Sequence, residues 1–399
     1  MTAADPAGAL MPTYNRADLA FERGEGAYLQ NQDGQWYLDF ASGIAVTALG
    51  HAHPHLVAAL QDQVGKVWHT SNLFRIPDGE RLARRLTEAS FADRAFFCNS
   101  GTEAIEGAVK MARKYHDETG RPNRWRVLCC HEAFHGRSLT AIAASGSEKY
   151  RKGFDPTVPG FDHVAFNTTN ELRQAITDET AAILVEPVQG EGGIRPGDLD
   201  YLTALRDVAD EHGVLLIFDE IQCGMGRTGK LFAHEWADAR PDIMTVAKGI
   251  GSGFPMGAVL ATKDVGDVMG PGSHGTTFGG NPLAMAVGNA VLDVMLADGF
   301  LAQVDAVARE LWEKLQDLAA RHPNAIDHVR GAGLMLGLKC AGSNADMVAA
   351  LRAEKLLSVP AGDNVVRLLP PLIIGSAEVG EAVDKIERAC ARLEGDASE

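Results

Sequence analysis

The stretch from Val214 to Lys248, VLLIFDEIQCGMGRTGKLFAHEWADARPDIMTVAK, contains two apolar runs that each end at a charged residue. The first run, VLLIF, is followed by Asp219, and the second, IMTVA, is followed by Lys248. Runs that are apolar throughout, rather than at every second position, are typical of strands buried on both faces of a sheet. The stretch therefore predicts two buried strands whose carboxyl ends carry an acid and a base.

The same pattern recurs along the middle of the chain: a short apolar run, a polar or glycine-rich turn and then a helical segment. The other runs of this kind are Arg94–Cys98, Arg126–Cys130, Ala181–Val188 and Gly257–Ala261. Buried strands that alternate with helices indicate an α/β fold, in which helices cover both faces of a mostly parallel sheet.

The two ends of the chain differ from this middle part, because their strand signals are short and their helical segments are long. The elements predicted there are strands at Gly26–Leu29, Gln35–Phe40, 333–339 and 365–369 and helices at 282–297 and 300–321. A chain of 399 residues is too long for one compact core. We therefore expect a large domain over 46–284 and a smaller α/β domain built from 1–45 and 285–399.

The composition limits the partners and the compartment of the protein. A formal net charge of −16 leaves no broad basic surface, which argues against a nucleic acid partner. The N-terminal stretch does not resemble a secretory signal, and no apolar stretch is long enough to span a membrane. The six cysteines are scattered without a CxxC pair, so we expect reduced thiols in a cytoplasmic protein.

Two histidine clusters invite comparison with metal sites. His131–His135, HEAFH, matches the HExxH pattern that places two imidazoles on one helix face for zinc. Here the pattern follows directly on a predicted strand, and Gly136 stops it before a sustained helix can form. We expect no metal and keep a zinc hydrolase as the alternative from a different class. Because Pro54 interrupts GHAHPH, we expect loop packing rather than metal binding for His51, His53 and His55.

Asp219 and Lys248 stand 248 − 219 = 29 residues apart, each at a predicted strand end, where ligands of open α/β sheets bind. A buried carboxylate needs a cation or strong donors, and a protonated pyridine nitrogen is one such partner. A buried lysine has a lowered pKa, which makes its amine nucleophilic toward an aldehyde. Alone, Asp219 fits a helix cap and Lys248 fits a surface loop. Together they match the two groups that a pyridoxal phosphate enzyme needs.

Ser100, Gly101 and Thr102 follow a predicted strand and precede a predicted helix, Glu103–Tyr115. The free N–H groups and the dipole of a helix N-terminus favour an anion such as phosphate. On their own these residues equally fit an ordinary helix cap. Phe134, in the turn after the strand RVLCC, is placed to cover one face of a pyridine ring.

The chain resembles the class III aminotransferases of pyridoxal phosphate fold type I in six motifs that follow one another in order: SGTEA, HEAFHGR, EPVQGEGG, FDEIQCGMGRTGK, AKGIGSGFPMGA and HGTTFGGNPLA. The match covers nearly the whole chain. Two N-terminal segments, MPTYNRADLAFERGEGAYL and LDFASGIAVTALGHAHP, are similar to the acetylornithine branch of that family. The resemblance implies a seven-stranded sheet, pyridoxal 5′-phosphate as cofactor and a homodimer with shared active sites.

The resemblance also implies a role for each matching residue. Lys248 would hold the cofactor as an imine and shuttle protons, and Asp219 would keep the ring nitrogen protonated. The residues that would hold the rest of the cofactor are Ser100, Gly101 and Thr102 at its phosphate, Phe134 on its ring and Gln222 at its phenolic oxygen. Thr277 would reach the phosphate of the neighbouring subunit.

Arg137 and Arg367 match the family's two carboxylate-binding arginines, and guanidinium forks suit a dicarboxylate such as 2-oxoglutarate. Glu191 matches the acid that pairs with the second arginine while the amine donor is bound. The branch implies transfer of the terminal amino group of N2-acetyl-L-ornithine to 2-oxoglutarate, a reaction of arginine biosynthesis. Ornithine aminotransferases usually have tyrosine at the position of Ile44, so the apolar residue favours an acylated donor. Succinylornithine, succinyldiaminopimelate, ornithine and 4-aminobutyrate remain alternative donors.

Overall fold

A computed structural model describes residues 8–396. In that range the strands, numbered in chain order, are β1 Phe21–Glu25, β2 Tyr28–Asn31, β3 Trp36–Asp39, β4 Arg94–Cys98, β5 Arg126–Cys130, β6 Phe161–Val164, β7 Thr180–Val185, β8 Val188–Gln189, β9 Arg195–Pro196, β10 Leu215–Asp219, β11 Ile243–Val246, β12 Gly257–Ala261, β13 Ile326–Ala332, β14 Met335–Cys340, β15 Leu356–Leu357, β16 Val359–Ala361 and β17 Val365–Leu368. The α-helices are α1 Pro54–Val64, α2 Pro77–Glu88, α3 Gly101–Glu118, α4 Leu139–Ala144, α5 Glu148–Arg151, α6 Thr169–Ala175, α7 Leu199–His212, α8 Lys263–Gly266, α9 Pro282–Met295, α10 Phe300–Arg321, α11 Asn344–Ala353 and α12 Ser376–Asp396. Two short 3₁₀ turns occupy Ala233–Trp236 and Lys248–Ile250, and Ser42–Ala45 forms a left-handed turn.

Seven strands form the central sheet in the order β4-β12-β11-β10-β7-β5-β6. Neighbouring strands are parallel, except that β12 runs antiparallel to both β11 and β4. The mostly parallel α/β sheet expected from the apolar runs is therefore confirmed. The sequence pattern did not predict β6, in which only Val164 of the residues FDHV is fully buried. The strand expected over Ala181–Val188 ends at Val185, and β8 pairs with β9 instead.

Helices cover both faces of this sheet, and β10 shows why. Its side chains alternate: Leu215 and Ile217 pack with α3 on one face, whereas Leu216 and Phe218 pack with α7 on the other. All five residues of β10 are buried. Each large apolar side chain removed from water contributes about 1.5–3 kcal/mol, so continuous apolar runs favour a strand between two helix layers.

The two chain ends meet in a second sheet, of order β1-β2-β3-β15, in which β15 from the C-terminal part runs parallel to β3. A third sheet, β13-β14-β17-β16, lies wholly in the C-terminal part. Its strand β17 carries Arg367, which is buried. The third sheet thus buries a charged side chain, Arg367, in a segment that is distant in sequence from the strands of the central sheet.

The helices α9 and α10 correspond to the two long helical segments predicted after Asn281. Helix α9 begins at Pro282 with Asn281 as its N-cap and packs against α1 and α2. Within residues 8–396 no single helix is long and apolar enough to cross a membrane, and α9 and α10 meet the two conditions only as a pair bent by 70°.

Candidate active site

A cavity of about 400 Å³ lies at the carboxyl ends of β10 and β11. Eight of the eleven predicted site residues line it: Ser100, Gly101, Thr102, Phe134, Arg137, Asp219, Gln222 and Lys248. The sheet brings them together, because β10 ends at Asp219 and its neighbour β11 ends two residues before Lys248. This edge of an open α/β sheet is where ligands bind.

Asp219 is buried, and hydrogen-bond donors surround its carboxylate. Its Oδ2 lies 2.7 Å from Nδ1 of His135, and its Oδ1 accepts the backbone N–H of Ile221 at 3.0 Å. Burial by itself lowers the pKa of His135, but the hydrogen bond to Asp219 and the charges of Asp219 and Glu186 reverse this and raise it. His135 therefore supplies the donor that a buried carboxylate needs.

Glu186 directly follows β7, the strand beside β10, and is buried in the wall of the same cavity. Its Oε1 accepts the backbone N–H of Phe134 at 2.8 Å, and its Oε2 accepts that of Gly190 at 3.2 Å. Burial raises the pKa of Glu186; His135 opposes the shift, and the negative charge of Asp219 adds to it. Two carboxylates and one imidazole thus share this end of the cavity.

Lys248 begins the 3₁₀ turn after β11 with φ +48°, in the left-handed region that side chains rarely adopt. Strained backbone of this kind clusters at active sites. Burial lowers the pKa of Lys248 to about 8; the charge of Arg367 acts in the same direction, whereas Glu191, Asp219 and Glu186 oppose it. A lowered pKa increases the neutral, nucleophilic fraction of the amine at neutral pH.

The N-terminus of α3 forms another wall of the cavity. Ser100 is its N-cap, with the hydroxyl accepting the N–H of Glu103 at 3.3 Å, and Gly101 is its first residue. A Cβ at position 101 would lie 2.8 Å from Cδ1 of Ile221, so glycine lets this side chain pack against the helix start. Free N–H groups and the helix dipole at this wall suit an anionic group.

Phe134 and Arg137 lie on the turn that follows β5. The ring of Phe134 meets Tyr150 edge to face, with 5.3 Å between the ring centroids. The Arg137 guanidinium carbon lies 4.3 Å from the Tyr150 centroid and 5.5 Å from that of Phe134. Cation–π contacts therefore hold Arg137 at the cavity although much of the residue is exposed. Thr102 fixes the turn, because its Oγ1 accepts the N–H of Arg137 at 2.9 Å.

Arg367 and Glu191 form an ion pair next to the cavity wall. Nη1 of Arg367 lies 2.5 Å from Oε1 of Glu191 and donates to Oε1 of Gln222 at 3.3 Å. The second guanidinium nitrogen donates to the carbonyl of Pro360 at 3.0 Å, and Nε has no partner among the described residues. Arg367 is 2% exposed and Glu191 21% exposed, so the carboxylate is the partner with room to move.

Thr277 does not line this cavity within the chain. It is exposed, on a loop that includes Thr276 and Phe278, and it borders a separate depression beside Asn99. The Oγ1 of Thr276 accepts a hydrogen bond from Nδ2 of Asn99 at 3.2 Å, which places the loop behind the start of α3.

The HExxH segment has no helix, so the context that a zinc site needs is missing. His131 stacks on His163 with 5.6 Å between the ring centroids, whereas His135 turns inward to Asp219. Among residues 8–396 no group of three or more histidine, cysteine or acidic side chains is arranged to hold a metal ion. The three histidines of GHAHPH separate as well: His51 contacts Asp39 and His55 contacts Asp293.

Sequence reasoning missed three residues at the site, and two of them had a usable signal. His135 was considered only as half of a zinc motif, although its turn follows a strand of the same sheet edge as Asp219. Glu186 was included in the run AAILVEPV, where a lone acid at the end of a buried strand resembles Asp219. Tyr150, which packs on Arg137, had no comparable signal.

These features fit one kind of group. A buried carboxylate suits the protonated nitrogen of a flat ring, the start of α3 suits an anion, and a lysine with a lowered pKa suits an aldehyde. Pyridoxal phosphate has these three parts. The fold and the cavity thus define a pyridoxal phosphate enzyme of the α/β class.

Comparison with known proteins identifies the family. The chain matches the class III aminotransferases over residues 11–390. An acetylornithine aminotransferase of Mesorhizobium japonicum is 58% identical over 378 residues, 95% of each chain. The crystal structure of N-acetylornithine aminotransferase from Stenotrophomonas maltophilia superposes with a TM-score of 0.84 at 37% identity, over 96% of this chain and 98% of the other. An ornithine aminotransferase structure from Toxoplasma gondii, with pyridoxal phosphate at partial occupancy in its active site, gives a TM-score of 0.94 at 32% identity, over 98% and 94%. The chain belongs to the class III aminotransferases.

Proposed function

We propose that this enzyme transfers the terminal amino group of N2-acetyl-L-ornithine to 2-oxoglutarate, giving N-acetylglutamate 5-semialdehyde and L-glutamate. One observation carries the proposal: Lys248 and Arg137 line the cavity, and Arg367, which contacts the lining residue Gln222, is paired with the Glu191 carboxylate beside it. A donor with one carboxylate and an acceptor with two require this combination. The names of relatives 55–58% identical to the chain support acetylornithine as the donor. In arginine biosynthesis the reaction runs in reverse and makes acetylornithine.

Bound in this cavity, pyridoxal phosphate supplies an aldehyde that takes up the amino group and a ring that accepts electrons. In our proposal Lys248 supplies the amine that binds this aldehyde and the base that moves a proton at the substrate carbon bearing the amino group. Asp219 holds a proton on the ring nitrogen. His135 holds the Asp219 carboxylate in place through its bond of 2.7 Å.

Five further residues would bind the rest of the cofactor. Ser100, Gly101 and Thr102 would bind its phosphate, Phe134 would cover its ring, and Gln222 would lie at its phenolic oxygen. The position of all five in the wall of one cavity supports these roles. The start of α3 would hold the phosphate, and Asp219 at the end of β10 would hold the ring nitrogen.

The two substrates would use the arginines in turn, as a ping-pong reaction requires. Arg137 binds a carboxylate of either substrate. While the amine donor is present, Glu191 neutralises Arg367; when 2-oxoglutarate enters, Glu191 leaves and Arg367 binds the second carboxylate through its fork. The partial exposure of Glu191 leaves room for this movement.

The preference for an acylated donor rests on Ile44, two residues before Val46, which lines the cavity. Ile44 is half-buried and packs against an apolar cluster that includes Val188 and Ile194, rather than against polar groups. An apolar side chain offers no hydrogen bond to a free α-amine and suits an acyl group. Succinylornithine, succinyldiaminopimelate, ornithine and 4-aminobutyrate are the competing donors.

We also propose a homodimer, and an exposed apolar patch supports it. The patch is formed by Val64, Val67, Trp68, Leu73, Phe74 and Phe278. The segment 64–74 contacts the loop of Phe278. The ring centroids of His69 and Phe278 lie 5.4 Å apart, and Nδ2 of Asn72 donates to the carbonyl of Gly279 at 3.0 Å. Patches of this kind mark protein interfaces. Thr277 is exposed directly before Phe278 of this patch and would reach the phosphate site of the partner.

Two coarser features of the protein complete the proposal. We divide the chain into a large domain over 46–284 and a smaller one over 1–45 and 285–399, as the pairing of β15 with β3 supports. We place the protein in the cytoplasm, because all six cysteines are free thiols, as reducing compartments favour.

The test of the proposed function is a panel of ω-amine donors with 2-oxoglutarate, comparing kcat/KM for acetylornithine, succinylornithine, succinyldiaminopimelate, ornithine and 4-aminobutyrate. We expect the highest value for acetylornithine; a higher value for another donor would correct the substrate. The purified protein should be yellow, and borohydride should attach the cofactor to a peptide that contains Lys248. Colourless protein with stoichiometric zinc would overturn the proposal. Light scattering should give twice the mass of one chain.

A further inference from the structure

The turn formed by Ser42–Ala45 has an unusual backbone. Its four φ angles are +46°, +61°, +66° and +62°, so it is one turn of a left-handed helix, with glycine only at position 43. For residues other than glycine this conformation brings Cβ close to the following carbonyl oxygen, and for a β-branched residue such as Ile44 it is an outlier. Such strain persists where the surrounding structure imposes it.

Asp39, which is 2% exposed, holds the start of this turn. Its Oδ1 accepts the backbone N–H groups of Ala41 and Ser42, both at 2.9 Å. Its Oδ2 lies 2.8 Å from Nε2 of His51, on the far side of the turn. The Asp39–His51 pair therefore joins the residues before the turn to those after it.

His51 is itself fixed by the N-terminal strands. Its backbone pairs with that of Gly26 in both directions, at 3.0 and 2.8 Å. A Cβ at Gly24 would lie 2.6 Å from Cβ of His51, so glycine is needed for this close approach. The pair thus connects the sheet of β1, β2 and β3 to the strained turn.

The turn supports the end of the cavity that contains Arg367 and Glu191. Ala45 belongs to an apolar cluster against which Ile44 also packs, and the cluster includes Val188 and Ile194 on either side of Glu191, Cys223 next to Gln222, and Val365 and Leu369 on either side of Arg367. The backbone N–H of Leu369 also donates to the carbonyl of Phe40 at 2.6 Å. Val46, the next residue after the turn, lines the cavity.

We propose that Asp39 and His51 are positioning residues that set the placement of the Arg367–Glu191 pair, and through it the binding of the oxo acid. Neither residue lines the cavity. They act by holding the left-handed turn, whose apolar side chains pack against the segments that carry Arg367 and Glu191. The inference rests on the proposed use of 2-oxoglutarate as amino acceptor.

The test uses ping-pong kinetics, in which kcat/KM for each substrate reports its own half-reaction. Asp39→Ala removes the acceptor for both backbone N–H groups, so we expect kcat/KM for 2-oxoglutarate to fall by about tenfold to a hundredfold, mostly through KM. The amine half-reaction, in which Glu191 masks Arg367, depends on the turn only through Ile44, so its kcat/KM should fall by a clearly smaller factor, about threefold. Asp39→Asn keeps an oxygen acceptor for the turn and a donor for a neutral His51, and should restore most of the loss.

A matched control is available, because His55 and Asp293 form a second pair at 2.8 Å whose side chains are about half exposed. Asp293→Ala should leave both kcat/KM values unchanged. If Asp39→Ala does not fold, His51→Asn is the alternative variant. It keeps the two hydrogen bonds from the turn to Asp39 and removes the side-chain contact between Asp39 and His51. It should show a smaller loss in the same half-reaction. Equal losses in both half-reactions, or none, would overturn the inference. Failure of the wild-type protein to use 2-oxoglutarate would instead overturn the proposed function.

Discussion

The two ends of the cavity are built in different ways. At the Asp219 end the groups come from adjacent strands of one sheet: Asp219 ends β10, Glu186 follows β7, and His135 lies on the turn after β5. At the Arg367 end they come from separate parts of the chain, since Arg367 lies on β17 of the third sheet and Glu191 lies between β8 and β9. The first end, which we call the fixed end, is buried. The second, which we call the variable end, contains a carboxylate with 21% exposure.

The difference separates reaction chemistry from substrate choice. Groups on neighbouring strands of a packed sheet keep fixed distances, as a step common to all substrates requires. Groups on separate segments can change partners, and the Glu191–Arg367 pair meets two substrates of different charge. The comparison predicts that a substitution at the first end slows both half-reactions equally. A substitution at the second end should slow one half-reaction more than the other.

The largest effect is expected for Lys248→Ala, because Lys248 lies between the two ends and its amine serves both half-reactions. We expect transamination to fall by roughly a thousandfold or more and borohydride to trap no cofactor on the chain. Lys263→Ala is the matched control, since this lysine follows the neighbouring strand β12 but is exposed and pairs with Asp267. Full turnover by the Lys248 variant would remove it from the mechanism.

Asp219→Asn tests the fixed end. The amide keeps the shape of the side chain but removes the charge that would hold a proton on the ring nitrogen, so both half-reactions should slow by about a hundredfold to a thousandfold. Asp242→Asn is the control, because Asp242 lies at the opposite end of the same strands and accepts the N–H of Leu216 at 2.7 Å. Its loss should lower the free energy of unfolding without changing the ratio of the half-reactions. An Asp219 variant impaired with only one substrate would contradict the comparison.

The sequence alone predicted that Asp219, Lys248 and Ser100 lie at one edge of the sheet, but it missed His135 and Glu186 at the fixed end and linked no residues at the variable end. Asp219, Lys248 and Ser100 follow buried apolar runs, and in a parallel sheet all carboxyl strand ends meet at one edge, so local patterns were enough. Arg367 and Glu191 are 367 − 191 = 176 residues apart, and no local pattern joins β17 to a turn between two short strands. Their roles came from family resemblance. The left-handed turn had no signal, because Ile44 disfavours the conformation that its surroundings impose.

Arg367→Lys tests the variable end. Lysine keeps the charge but cannot form two parallel hydrogen bonds with a carboxylate. We expect kcat/KM for 2-oxoglutarate to fall roughly a hundredfold, which corresponds to a loss of about 3 kcal/mol in transition-state stabilisation. The value for the amine donor should fall much less. Arg126→Lys is the control, since Arg126 forms a bidentate pair with Asp162 at the amino ends of β5 and β6. Equal losses for both substrates would place Arg367 among the groups of the fixed end.

Glu191→Gln should have the smallest effect on kcat/KM and should also change the pKa of Lys248. The amide still faces Arg367, but it no longer neutralises it, so kcat/KM for the amine donor should fall by about threefold to tenfold. The negative charge of Glu191 raises the pKa of Lys248 against the stronger effect of burial, so its removal should lower that pKa below about 8. Only the neutral amine reacts with an aldehyde, and about a tenth of it is neutral at pH 7 when the pKa is 8.

The rate at which apoenzyme captures pyridoxal phosphate should therefore rise with pH, with its midpoint at the pKa of Lys248, and absorbance reports it directly. In Glu191→Gln the midpoint should move to lower pH. Arg367→Lys keeps the positive charge that lowers the pKa of Lys248, so its midpoint should stay near that of the wild type. A midpoint that is unchanged or higher in Glu191→Gln would contradict the inference that the charge of Glu191 raises the pKa of Lys248.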